Sequence, residues 1–234
     1  MPIAKPIIWK TQLTLALLIA IPVALSAVRL MWFANGADPM EETMDTSHFA
    51  NIPIPIIAHI AFGSLFCLIA IVQLTPEWRM ASRRLHKTLG YIAAISGILA
   101  AVSAMIMVVI YPTGPFATTT LNVVRFGFAA FMGLCILNAV RNARARRIAY
   151  HRAWMIRAFA VAVAASTQAV FMGICFATIG DPSPVLATGL LTLGFAINAI
   201  FAEWWIIRAR RPAPSFTYIS PCDTSSPRHG QIDA

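Results

Sequence analysis

Charge is what this chain has least of. Only 12% of its 234 residues are Asp, Glu, Lys or Arg, and just 9 of those are acidic. Cysteine is also sparse: the four are Cys67, Cys135, Cys175 and Cys222, none in a C-x-x-C pair. Such usage indicates neither a disulfide framework nor a zinc site. No G-x-S-x-G elbow, phosphate-binding glycine loop or H-E-x-x-H motif occurs, which removes the common classes of soluble hydrolase and nucleotide enzyme. What is abundant is apolar: 59% of residues, with a mean hydropathy of +0.72. Soluble domains are about 45–50% apolar. The excess means that part of the solvent is lipid.

A membrane-spanning helix needs about 20 mostly apolar residues. Six segments qualify, near Thr11–Phe33, Ile54–Leu74, Thr88–Tyr111, Leu121–Val140, Trp154–Ile179 and Val185–Ile207. The expected architecture is therefore all-α: a polytopic membrane protein with about six transmembrane helices in one bundle. Residues 1–10 form a short N-terminus, 11–210 the membrane domain, and 211–234 a Pro- and Ser-rich tail expected to be disordered. Lys5 and Lys10 precede the first segment and Ala24-Leu25-Ser26-Ala27 resembles a cleavage site. Its uncharged run exceeds the usual signal core, so it reads as a retained helix; cleavage would leave five spans.

Basic residues separate the two faces. Lys5 and Lys10, then Arg79, Arg83, Arg84 and Lys87, then Arg141, Arg144, Arg146, Arg147 and Arg152, then Arg208, Arg210, Arg211 and Arg228 hold 15 of the 18 cations. The loops 34–53, 112–120 and 180–184 hold none. The positive-inside rule then places both termini in the cytoplasm. The net charge of +9 points to anionic headgroups on that side, not to nucleic acid.

The other three cations, Arg29, Arg125 and Arg157, lie within spans. Ionisable groups there are costly and count as site candidates. Arg29 reads as snorkelling to the outer headgroups. Arg125, near the outer end of the fourth span, either snorkels likewise or binds a carboxylate or haem propionate. His59 opens "HIAFG", with Gly63 one turn on. It is either a ligand for haem iron or a buried histidine bonded to a neighbouring helix. Arg157 needs Glu203, an amide or a bound anion as partner.

The block Gln73–Leu89 overlays Asn138–Trp154 with a constant offset of 65, placing Gln73 on Asn138 and His86 on His151. A parallel repeat of helix pairs would set His86 and His151 at matching depths on the cytoplasmic side. They could then be two axial ligands of a single b-haem iron, or interfacial residues among headgroup-binding arginines. In "HRAWMIR", His151, Trp154 and Arg157 are three apart and share one helix face.

These residues carry a resemblance. "HIAFGSLFCLIAIVQL", "RRLHKTLGYI" and "HRAWMIRAFA" resemble the predicted bacterial membrane proteins of the domain of unknown function 2306 family. The resemblance covers about residues 54–208; Lys87 stands where an arginine is more usual. It implies a multi-pass protein of the bacterial inner membrane without an established activity. A four-helix core with paired histidines is also loosely similar to b-type cytochromes of the b561 kind. Three functional readings follow. One is a b-haem or quinone-linked electron carrier with a membrane redox partner, whose cofactor contacts would be His59, His86, His151, Arg125 and Arg157. Another is a transporter of small anions through Arg29, His59 and Arg125. The third is a non-catalytic membrane partner or lipid-binding subunit.

Overall fold

The computed structural model describes residues 8–35, 52–74, 82–111 and 118–210. The tail, the first polar loop and the N-terminal residues discussed above lie outside them. The described residues form seven helices and no strand: α1 (Ile8–Asn35), α2 (Ile54–Leu74), α3 (Arg83–Ile110), α4 (Thr119–Arg144), α5 (Ile148–Ala162), α6 (Ala164–Thr178) and α7 (Pro184–Arg210). Helices α2, α3, α4, the joined α5–α6 unit and α7 are each long and apolar enough to cross a membrane. In α1, which contains Pro22, the described apolar stretch is the shorter Ile19–Trp32. The chain is a polytopic helical membrane protein, as its composition implied.

Caps set several of the boundaries. Ser82 Oγ accepts from Leu85 N–H at 3.2 Å, Thr118 Oγ1 from Leu121 N–H at 3.1 Å, and Ser183 Oγ from Leu186 N–H at 3.3 Å. Short hydroxyl side chains satisfy amides that a first helical turn leaves without acceptors. The Ser82 cap starts α3 five residues before the expected Thr88, whereas α5 starts six before Trp154 behind Arg147, with no side-chain cap.

Helices α2, α3, α4 and α5 pack in a ring, each against the next, so α3 and α5 lie across the diagonal. Phe66 and Cys67 of α2, Ala93 and Ala94 of α3, Met132, Cys135 and Ile136 of α4, and Ala158 and Phe159 of α5 fill the axis. Gly97 lets α3 approach: a Cβ there would sit 2.6 Å from Ile136 Cδ1 and 2.8 Å from the Phe66 ring. Helix α7 packs on α4, α5 and α6, and α1 on α2 and α6. Phe128 and Phe195 stack across the α4–α7 contact with centroids 4.4 Å apart. Large apolar side chains such as Ile95, Val109, Leu137, Ile174 and Ile200 point outward. In a membrane protein that outward face meets lipid.

The fifth span is broken at Val163, where φ −81° and ψ −3° end α5 and begin α6. No proline or glycine lies at the break. Just past it, Thr167 and Gln168 meet α7: Asn198 Nδ2 donates to Thr167 Oγ1 at 2.7 Å, and Gln168 Nε2 to the Leu191 carbonyl at 2.7 Å. Polar side chains at this depth need partners on a neighbouring helix, and the redirected α6 supplies them. Gly194 makes room, since a Cβ there would lie 2.6 Å from Gln168 Cγ.

Candidate functional site

The α2–α3 and α4–α5 hairpins test the repeat at an offset of 65 directly. Their second helices start at Arg83 and Ile148, an offset of 65, so His86 and His151 are each the fourth residue of their helix. Their first helices end at Leu74 and Arg144, an offset of 70. The correspondence therefore holds in register for the entering helices.

The bonds that close the two hairpins differ. Gln73, one residue from the end of α2, donates through Nε2 to the His86 carbonyl at 2.9 Å and ties α2 to α3. Gly90 faces this clamp, with a built Cβ 3.9 Å from Gln73 Nε2. Asn138 lies deeper in its own helix and donates to the Leu134 carbonyl at 2.9 Å. The second hairpin is closed by the histidine ring instead: His151 Nδ1–H donates to the Ala139 carbonyl of α4 at 2.9 Å. The two hairpins thus share a task and exchange the parts that perform it.

His151, Trp154 and Arg157 continue along one face of α5, as their spacing predicts. Arg157 meets Glu203 of α7 through two hydrogen bonds, Nε to Oε1 at 2.5 Å and Nη2 to Oε2 at 2.8 Å. Its guanidinium carbon lies 4.7 Å from the Trp154 ring centroid. A fork on a carboxylate and a cation over a ring are what arginine provides and lysine does not. The pair is formed where its two side chains are 20% and 46% exposed. Of the partners expected for Arg157, Glu203 is the one present.

At the other end of the bundle, His59 Nδ1–H donates to the Ala100 carbonyl at 2.9 Å, and Ser103 Oγ donates to the same oxygen at 2.9 Å. Gly63 lies opposite Ala100, its built Cβ 4.0 Å from the Ala100 Cβ. His59 and Gly63 therefore both serve the α2–α3 contact. Arg125, half-buried, makes no hydrogen bond or ion pair among the described residues. Helix α2 reaches His59 at its sixth residue and α4 reaches Arg125 at its seventh, so both lie about 8–9 Å from the same end.

For haem, the parts divide. Bonding through Nδ1 fixes the ring of His151 and leaves Nε2 as the nitrogen that an iron would take. His86 offers its carbonyl to Gln73 and sits half-buried across the diagonal. Leu74, Leu89, Val140 and Trp154 pack against the core at this end of the bundle. The fork of Arg157, one of the cofactor contacts in the electron-carrier reading, is on Glu203.

The same end carries the basic turn between α4 and α5. Ala145 caps α4, Arg146 N–H donates to the Ala143 carbonyl at 3.0 Å, and Arg147 N–H to the Asn142 carbonyl at 2.9 Å. This is the Schellman pattern, which needs a left-handed residue, usually glycine. Here it is Arg146, at φ 59°. Arg141, Arg144, Arg146, Arg147 and Arg152 are exposed and make no ion pair among the described residues. Nothing in the sequence marks Arg146 as a left-handed position, and sequence reasoning missed it. The Gln73–His86 clamp was also missed, although the spacing of Gln73, His86 and Gly90 carried the signal.

A family model described as predicted membrane protein, DUF2306, matches residues 56–206, and the chain belongs to that family. No curated protein and no solved structure matches the chain.

Proposed function

We propose that this DUF2306 member is a non-catalytic membrane subunit that works through its basic face, engaging anionic headgroups there. In this reading the basic face is cytoplasmic, both termini lie on that side, and the membrane is the bacterial inner membrane. One contrast carries the reading. His59, Gln73, His151, Arg157, Gln168 and Asn198 all bond across helix contacts. The arginines of the α4–α5 turn, by comparison, are exposed and without carboxylate partners among the described residues. Interior polar groups committed to neighbours hold a fold together, and unpaired surface cations attract an anionic surface, at about 1 kcal/mol for each Lys or Arg close to it. The test is thermal unfolding of the full chain in nanodiscs with and without anionic phospholipid. Stabilisation by the anionic lipid that weakens with added salt is expected; equal stability in both would overturn the reading.

The electron-carrier reading keeps one specific support. His86 and His151 occupy equivalent fourth positions on helices that face each other across the diagonal. With neighbouring axes about 8–10 Å apart, that diagonal is about 11–14 Å, a span that two imidazoles and an iron can bridge. His86 and His151 would hold such a group, which would supply one-electron transfer. A Soret band in protein from haem-replete cells, lost on His151→Ala, would establish this reading over the first.

A further inference from the structure

We propose that the α4–α5 turn is a discrete binding site for one phosphate-bearing headgroup of an anionic lipid. The proposal deepens the reading of the basic face and rests on it. An open cleft of about 470 Å³ lies at this turn, lined by Asn142, Arg147, Ile148, Ala149 and Tyr150. Ligand sites typically enclose about 300–1,000 Å³. Its chemistry has two parts. Arg147 is in the wall, and Arg144 and Arg146 precede it in the chain, all exposed and without carboxylate partners among the described residues. Guanidinium groups match phosphate oxygens in charge and geometry.

The other wall is apolar: Ile148 is 63% and Tyr150 56% exposed. A free phosphate has no use for such a wall. A lipid does, because its acyl chains begin where its headgroup ends, and aromatic residues favour that boundary. The cleft also opens at the ends of two membrane-crossing helices, where a headgroup lies without leaving its leaflet. The backbone adds an independent sign. The turn requires a left-handed residue, and an arginine holds that position at φ 59°. Glycine would satisfy the Schellman bonds without steric conflict. Arginine adds a third charge beside the cleft.

Lipid retention by the delipidated full chain, counted by native mass spectrometry, separates the outcomes. Phosphatidylglycerol should bind one copy at concentrations where phosphatidylcholine does not. Arg147→Gln should weaken that copy about tenfold, and Arg146→Gly severalfold although glycine suits the turn. Arg83→Gln with Arg84→Gln, at the other basic turn, should leave it within about twofold. Equal loss in that control pair would mean diffuse attraction and overturn the site while leaving the basic-face reading intact. Equal binding of the two lipids would overturn both. Displacement of the lipid by equimolar inorganic phosphate would make this a free-anion site and overturn the lipid assignment.

Discussion

Two turns of this molecule make the same backbone demand and meet it differently. Between α6 and α7 the chain passes through Gly180 at φ 90°, with its N–H on the Cys175 carbonyl at 3.2 Å. Between α4 and α5 it passes through Arg146 at φ 59°. Glycine reaches the left-handed region freely, whereas an L side chain there costs roughly 1–2 kcal/mol. The first turn uses the residue that local physics prefers. The second uses one that it disfavours, and surrounds it with other unpaired arginines. The same division runs through the bundle. Inside it His59, Gln73, His151, Arg157, Gln168 and Asn198 are bonded to neighbouring helices, with Arg125 an exception, and the basic turn is where local preference yields.

The largest expected effect breaks the satisfied side of this comparison. Glu203→Ala removes both hydrogen bonds of Arg157 and should destabilise the protein by about 2–3 kcal/mol, read as the shift in a detergent or denaturant unfolding midpoint. The half-exposure of Glu203 keeps this below the cost of breaking a fully buried pair. Next is Gly97→Ala, whose Cβ would collide with Ile136 and Phe66. Overpacking of this kind costs about 1–3 kcal/mol, whereas Gly90→Ala, with its nearest contact at 3.9 Å, should be tolerated. A matched pair of unfolding curves checks that contrast.

The two turns themselves are compared by exchange. Gly180→Arg should cost about 1–2 kcal/mol from the backbone alone, because nothing lies within 4 Å of a Cβ there. Arg146→Gly should do the reverse, stabilising by up to about 1 kcal/mol. If Gly180→Arg proves neutral, the left-handed conformation is not the burden the comparison assigns to it, and Arg146 needs no functional reason.

Much of this was legible beforehand. Long apolar runs separated by basic and cation-free loops marked the spans, because lipid admits only internally bonded backbone. The one-face spacing of His151, Trp154 and Arg157 followed from helix geometry, and the cost of a charge within a span called for a partner to Arg157, with Glu203, an amide or a bound anion as the candidates. Other features were hidden for physical reasons. The break at Val163 has no proline or glycine to announce it; Thr167 and Gln168 meet α7 only once the chain has folded. The repeat overlaid Gln73 on Asn138, yet Gln73 bonds the His86 carbonyl of the next helix and Asn138 the Leu134 carbonyl of its own. His86 and His151 share a register position, yet one contributes its carbonyl and the other its ring. Periodicity reports which face a residue occupies, not which of its atoms is used.

The central claim is that Arg146 holds an unfavourable backbone position for the sake of an anionic partner. Thermal unfolding of the wild type and Arg146→Gly, each in nanodiscs with and without phosphatidylglycerol, tests it most directly. In zwitterionic lipid the glycine variant should melt higher. Adding phosphatidylglycerol should raise the wild type more than the variant and close or invert that gap. A variant that melts lower in zwitterionic lipid, or gains as much from phosphatidylglycerol as the wild type, would contradict the account.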